Sequence, residues 1–185
     1  PSGQPPFIAM VGCDGAGKST LTQELTRVMG REGPTGFYYL GLGSGDLGRR
    51  IGQWPMIGPR VEKILSAKAR RTRTAGETIP GVMTALVVFC FSLLRFYRFQ
   101  QAMLARSHGV LVVTDRYPQA EIPGWCDGPG LSAASTDNRF ILWLARIEKR
   151  LYDYMACIHP RVIILLDVDI ETALSRKPDH DPALL

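Results

Sequence analysis

The sequence predicts an α/β fold of three layers, a parallel β-sheet covered by helices on both faces. Four short apolar runs recur along the chain, at 7–11, 36–42, 110–114 and 161–166. Unbroken apolar runs suit strands buried on both faces, as parallel strands are. Stretches of helical spacing lie between them, which is how crossovers join parallel strands. The polar features also fall in one kind of place. GCDGAGKST follows the first run, GSGDLG the second, Asp115-Arg116 the third and Asp167 the fourth. In such sheets ligands gather outside the carboxyl ends of the strands.

Taken in order, Phe7 to Val11 (FIAMV) is the first strand, ended by glycine. Lys18 to Met29 reads as a helix with Leu21, Leu25, Val28 and Met29 on one side. Gly36 to Leu42 (GFYYLGL) is the second strand and runs into a glycine-rich turn. Trp54-Pro55, Gly58-Pro59 and the basic run RVEKILSAKARRTR predict a loop with one helix at most, so segment 44–80 is expected to be mobile. Gly81 to Ser107 holds no proline and reads as one long helix, apolar over GVMTALVVFCFSLL and amphipathic over RFYRFQQAMLARS. Its uncharged part falls short of the roughly 20 residues that cross a bilayer, which predicts a buried or dimer-forming helix and no stable membrane span. Val110 to Thr114 is the third strand, and a Pro/Gly-rich loop of functional length follows at 118–135. Thr136 or Asp137 is placed to cap a helix that runs to about Cys157 and presents Phe140, Ile141, Leu144, Ile147 and Leu151. Arg161 to Leu166 is the fourth strand, and a lid opens near residue 170.

A chain of 185 residues, 45% hydrophobic, can bury one sizeable core, so a single domain over 1–185 is expected. Cys13, Cys90, Cys126 and Cys157 are isolated from one another and fit neither a disulfide scaffold nor a zinc ribbon, which points to a reducing, cytoplasmic setting. PSGQPPFIAMV lacks the basic start and long apolar core of a secretory signal. The net charge of +5 is concentrated in residues 60–73, a solvated face or a patch for anions. No nucleic-acid polymer is expected as a partner.

GCDGAGKS fits G-x-x-x-x-G-K-[ST] at Gly12, Gly17, Lys18 and Ser19, between a predicted strand and a predicted helix, the context the motif requires. Glycines let backbone N–H groups turn inward around a phosphate, and the following helix adds its positive end. Gly12, Asp14, Gly15, Ala16, Gly17, Lys18, Ser19 and Thr20 are therefore the candidate nucleotide ligands, with Lys18 reaching the outer phosphates and Ser19 holding Mg²⁺. In VVTDRY, Asp115 at a buried strand's end is a candidate for metal or for the attacking oxygen, and Arg116 for clamping a phosphate. Trp125, in the long loop, is a candidate stacking surface, with Glu121 or Asp127 as polar ligands; an ordered loop packed on its own Trp and prolines fits equally. His108 and His159 read as strand-boundary residues.

On GCDGAGKST, the long helix leading into VLVVTDRY, and VIILLDVDIETALSRKPD, the chain resembles the thymidylate kinase family of P-loop nucleoside monophosphate kinases. The resemblance implies a P-loop NTPase fold, ATP and Mg²⁺ as cofactors, a nucleotide or nucleotide-like acceptor and a homodimer. It implies that Asp115 positions acceptor or metal, that Arg116 and Tyr117 bind the acceptor, and that Arg176, with Lys177, closes over the transferring phosphoryl. Arg95 and Arg98 are the long-helix arginines it brings to the acceptor. It further implies a helix and a fifth strand beyond the lid. The family's Arg-Glu-Pro-Gly-Gly after the second strand is replaced here by Leu40-Gly41-Leu42-Gly43-Ser44-Gly45, so the acceptor is not fixed as thymidylate. A kinase for nucleosides or other small hydroxyl compounds, and a nucleotide-switched regulator or ATPase, are the alternative readings. No N-K-x-D guanine signature is present, and Asp115 is followed by Arg rather than by a second acid.

Overall fold

A computed structural model describes residues 3–13, 15–41, 81–124, 127–133 and 135–169. Among them four strands, β1 (Phe7–Gly12), β2 (Thr35–Tyr39), β3 (Leu111–Asp115) and β4 (Val162–Leu166), form one parallel sheet in the order β2-β3-β1-β4. Among the described residues the helices between them are α1 (Lys18–Met29), α2 (Val82–Ser107) and α3 (Arg139–Ala156), with a short 3-10 turn at Leu131–Ala133. This is the expected α/β fold with a parallel sheet. The chain leaves β1 toward β2 on one side and leaves β3 toward β4 on the other, so the direction of winding reverses between β1 and β3. A crevice at the carboxyl ends of such a strand pair is where these sheets bind ligands.

The described residues divide into two compact units. The first comprises Pro1–Leu40, Tyr97–Tyr117 and Ile158–Leu185 and holds the sheet. Its centre is Phe7, Ala9, Met10, Leu40, Phe99, Ala102, Val112 and Val113, all fully buried. Phe7 meets Phe99 of α2 edge-on at 6.4 Å between ring centres. The apolar runs of β1 and β3 thus bury on both faces, as their composition requires.

β4 departs from that expectation. Val162, Ile163 and Leu165 are exposed, because among the described residues β4 is the outer strand and pairs with β1 alone. α1 departs too. Its bounds are those the sequence predicts, yet Leu21 and Val28 face solvent and its buried residues are Lys18 and Thr22. The Thr22 hydroxyl donates to Lys18 O at 2.6 Å, so the residue can be buried with its polar group satisfied inside the helix.

The second unit comprises Gly41–Phe96 and Pro118–Cys157. The first half of α2 packs on α3 through Ala85, Ile141 and Leu144, joined by Leu131 of the 3-10 turn. The cap of α3 is Asn138, not Thr136 or Asp137: its side-chain oxygen accepts from the N–H groups of Phe140 and Ile141. The inward face reads Ile141, Leu144, Glu148, Tyr152 and Met155, while Phe140 is exposed and stacks on Trp143. That shift follows from register, since 141, 144, 148, 152 and 155 share one helical stripe and 140 does not. Segment 44–80 and the lid lie outside the described residues.

Candidate active site

Three neighbouring backbone features build the site. β1 ends at Gly12, whose backbone lies so close to β4 that a Cβ there would stand 2.5 Å from Leu166 O. The loop then turns through Gly15 and Gly17, the latter capping α1 in the left-handed region at φ 83°. Ala16 N bonds Cys13 O at 3.3 Å and Leu21 N bonds Gly17 O at 3.1 Å, so the loop passes into the helix without a break. Nearly buried, Lys18 brings its ammonium back over the loop, donating to Gly12 O at 2.9 Å and to Cys13 O.

From the adjacent strand, β3 delivers Asp115, 3% exposed and in register with Met10 of β1. Asp115 Oδ2 accepts from Ser19 Oγ at 3.3 Å. Two hard oxygens from different elements thus meet beside a phosphate loop, a donor set that suits Mg²⁺, which takes few protein oxygens and completes its shell with phosphate and water. Among the described residues no group of three or more His, Cys, Asp or Glu side chains could hold a metal.

Arg116 follows at φ 75°, the one described non-glycine residue in the left-handed region. Its N–H bonds Met10 O at 2.9 Å, and the carbonyl of Asp115 accepts from Leu40 N at 3.0 Å, so both neighbouring strands fix this bend. A non-glycine residue held there costs of the order of 1 kcal/mol, a strain typical of functional positions. The backbone at Arg116 is thereby over-determined. Tyr117 sits differently: its ring packs at 6.1 Å from Phe7 and its hydroxyl donates to Ile158 O at 3.1 Å. Arg98 lies over the ring of Tyr39 at 5.9 Å, near the end of β2.

Arg95 belongs to the second unit and is only 2% exposed. Its Nη2 bonds Asp127 Oδ1 at 2.9 Å, and Nη1 bonds Asp127 O at 2.8 Å and the Tyr152 hydroxyl at 3.1 Å. Beside it the fully buried Glu148 accepts from Ser92 Oγ at 2.5 Å and from Leu131 N at 2.7 Å. Burial, opposed by Arg95, pushes the Tyr152 hydroxyl above its ordinary pKa. Glu148 has one signal in the sequence, a carboxylate on the apolar stripe of α3. Asp14, Trp125 and Arg176 lie outside the described residues; Thr20 sits exposed in the first turn of α1.

The strand, glycine loop and helix, with the buried Asp of a neighbouring parallel strand facing the loop's Ser, define a P-loop nucleotide-binding domain of the α/β class. No family model matches the chain. It is 44% identical over 182 residues to the uncharacterized ATP-binding protein YghR of Escherichia coli K12, covering 98% of this chain and 72% of that one. It is 43% identical to YghS of the same organism, over 96% of this chain and 76% of that one. The chain belongs to the family of YghR and YghS. A thymidylate kinase of Chlamydia felis is 30% identical over 90 residues, 45% of this chain and 44% of that enzyme.

Proposed function

We propose that the protein is an ATP- and Mg²⁺-dependent kinase that moves the γ-phosphoryl group of ATP to a nucleoside monophosphate. The observation that carries this is the meeting of Ser19 Oγ and Asp115 Oδ2 at 3.3 Å, immediately beside the strained Arg116. ATP as the nucleotide is supported by YghR and YghS, which are described as ATP-binding, and kinase chemistry by the partial likeness to thymidylate kinase. A reducing cytoplasm, rich in ATP and Mg²⁺, is the compartment this chemistry calls for.

In this reading the amides of the Gly12–Ser19 loop and the N-terminus of α1 cradle the phosphates. Lys18 exchanges its loop carbonyls for the outer phosphate oxygens. Ser19 and Asp115 would hold Mg²⁺, which supplies charge neutralisation on the phosphates. Arg116, set by its backbone, binds the incoming acceptor phosphate and keeps its oxygen in line with the γ-phosphorus. Arg176 and Lys177, by resemblance, add charge from the lid. Phosphoryl transfer asks little else of a protein than this positioning and electrostatics. Arg98 flanks the acceptor, whereas Tyr117, expected there too, is turned to Phe7 and Ile158 O, and Arg95 is held by Asp127.

The alternative acceptor is a nucleoside or another small hydroxyl compound, favoured by the absence of the Arg-Glu-Pro-Gly-Gly stretch after β2. The test is to incubate the full-length protein with ATP, Mg²⁺ and a panel of nucleosides and their monophosphates, and to resolve the products. Nucleoside diphosphate formed in step with ADP is expected. ADP and inorganic phosphate released at one rate regardless of acceptor would refute the kinase reading in favour of an ATPase or switch.

A further inference from the structure

The side chain of Tyr117 runs back from the sheet edge at which Asp115 ends its strand. Met10 of β1 stands level with Asp115, and Phe7 lies three residues earlier on β1, roughly 10 Å back along the strand. The ring of Tyr117 packs against Phe7, which in turn meets Phe99 edge-on, and both phenylalanines are fully buried. The hydroxyl donates to Ile158 O at 3.1 Å. That carbonyl belongs to the short stretch leading into β4, and the same stretch is tied to β1 by Arg161 N, which donates to Phe7 O at 2.7 Å. Tyr117 is thus anchored where β1 and β4 begin.

Arg116 is therefore held from both directions. On its amino side Asp115 O accepts from Leu40 N, and Arg116 N–H donates to Met10 O. On its carboxyl side stands the anchored Tyr117, whose own backbone Pro118 disfavours from the helical region. The chain bends at Arg116, which takes up φ 75° there. A non-glycine residue rests in that conformation only where its surroundings over-determine it. The strain is comparable to the worth of one hydrogen bond, so the loss of one anchor is enough to shift the balance. Two of the anchors are backbone groups at the sheet edge. The third is a side chain, and a substitution can remove it.

We infer that Tyr117 is a positioning residue for Arg116: its ring on Phe7 and its hydroxyl on Ile158 O hold the bend that keeps Arg116 left-handed, and so fix where the guanidinium meets an acceptor phosphate. This rests on the reading of Arg116 as the ligand of that phosphate. A ligand of the acceptor belongs outside the carboxyl ends of the strands, whereas the Tyr117 ring lies against the first residue of β1. The three roles open to Tyr117 differ in what they do to Arg116. A residue that only packs would weaken the fold, and a ligand would act on the acceptor independently of Arg116. A positioning residue loses its effect once the Arg116 side chain is gone.

The test compares the full-length wild type with Tyr117→Leu, Tyr117→Phe, Arg116→Gly, and Arg116→Gly combined with each Tyr117 change. The substrates are ATP and the fastest monophosphate of the panel above. Tyr117→Leu should lower kcat/KM for the acceptor about tenfold or more, as misplacement of a reacting group does, and leave KM for ATP unmoved. Tyr117→Phe keeps the ring and should lose about fivefold, the worth of one hydrogen bond; it carries the comparison if Tyr117→Leu does not fold. Combined with Arg116→Gly, either change should cost less than about twofold, the scatter seen between independent measurements. A full repeat of the loss in that background would overturn the inference, as would an acceptor kcat/KM that both Tyr117 variants leave intact. If the wild type phosphorylates no acceptor, the kinase reading falls by itself and chemical denaturation of the same proteins decides the anchor. Tyr117→Leu or Tyr117→Phe should then cost less stability in the wild-type background than combined with Arg116→Gly, because strain is released only where it exists. Equal losses in the two backgrounds would overturn the anchor.

Discussion

Ser19, in the first turn of α1, donates its hydroxyl to the carboxylate of Asp115 at the end of β3, across 3.3 Å and 96 residues of sequence. The two depend on each other for more than a hydrogen bond. Ser19→Ala and Asp115→Asn are each expected to raise the Mg²⁺ concentration needed for half-maximal turnover and to lower kcat at least tenfold. Combined, they should cost clearly less than the product of the single effects, because groups that serve one ion act as a unit. Mg²⁺ titrations of the two single variants and the double variant provide the measurement; multiplicative losses would separate the residues.

Lys18 is nearly buried with its ammonium on two carbonyls of its own loop. Lys18→Ala removes both the phosphate ligand and this internal brace. Loss of ATP-dependent thermal stabilisation is expected, since that stabilisation follows directly from binding to the native state. A melting curve with and without ATP would show it, and an undiminished shift in the variant would contradict the assignment of this loop.

Arg116 offers a test that separates strain from chemistry. Glycine tolerates φ 75° without penalty, so Arg116→Gly should leave the melting temperature unchanged or raise it, with a relief of about 1 kcal/mol offset by chain entropy. Activity should fall by two orders of magnitude or more, the scale lost with one donor to a developing charge. Arg116→Lys should recover little, since an ammonium does not reproduce the planar fork.

Glu148 and Tyr152 test the polar network of the second unit. Glu148→Leu leaves the Ser92 hydroxyl and the Leu131 N–H without their shared acceptor, and a loss of about 3 kcal/mol is expected in chemical denaturation. Because the folded pKa of Tyr152 lies above its unfolded value near 10, its neutral form contributes stability that is complete below about pH 10. That contribution is lost as pH rises toward and through the folded value. Tyr152→Phe should flatten this alkaline decline, which denaturation midpoints measured between neutral pH and pH 11 would reveal.

The elements that sequence alone located are those whose signal is local. β1, the glycine loop and α1 announce themselves within some twenty residues, and Asp115-Arg116 stands out because a charged pair ends an apolar run. What sequence left dark depends on distant partners. The aliphatic run of β4 reads as a central strand, and its exposure follows from being outermost among the described strands, which no property of VIILL encodes. Arg95 reads as a long-helix arginine free to meet a phosphate, but a carboxylate 32 positions away holds it. Leu21 and Val28 mark an apolar helix side by their residue types, while the burial of Thr22 rests on a hydroxyl that satisfies itself within one turn.

Gly12 carries a double duty with practical weight. It opens the phosphate loop, and its missing Cβ is also what allows β1 and β4 to approach within contact of Leu166 O. Any larger residue there would wedge the two strands apart before a nucleotide ever arrived. A survey of inactive variants would therefore misread this position: damage at Gly12 would look like failed nucleotide recognition while its origin lay in sheet assembly. Gly15, in the turn itself at φ 92°, is a second glycine whose replacement would strain the loop backbone.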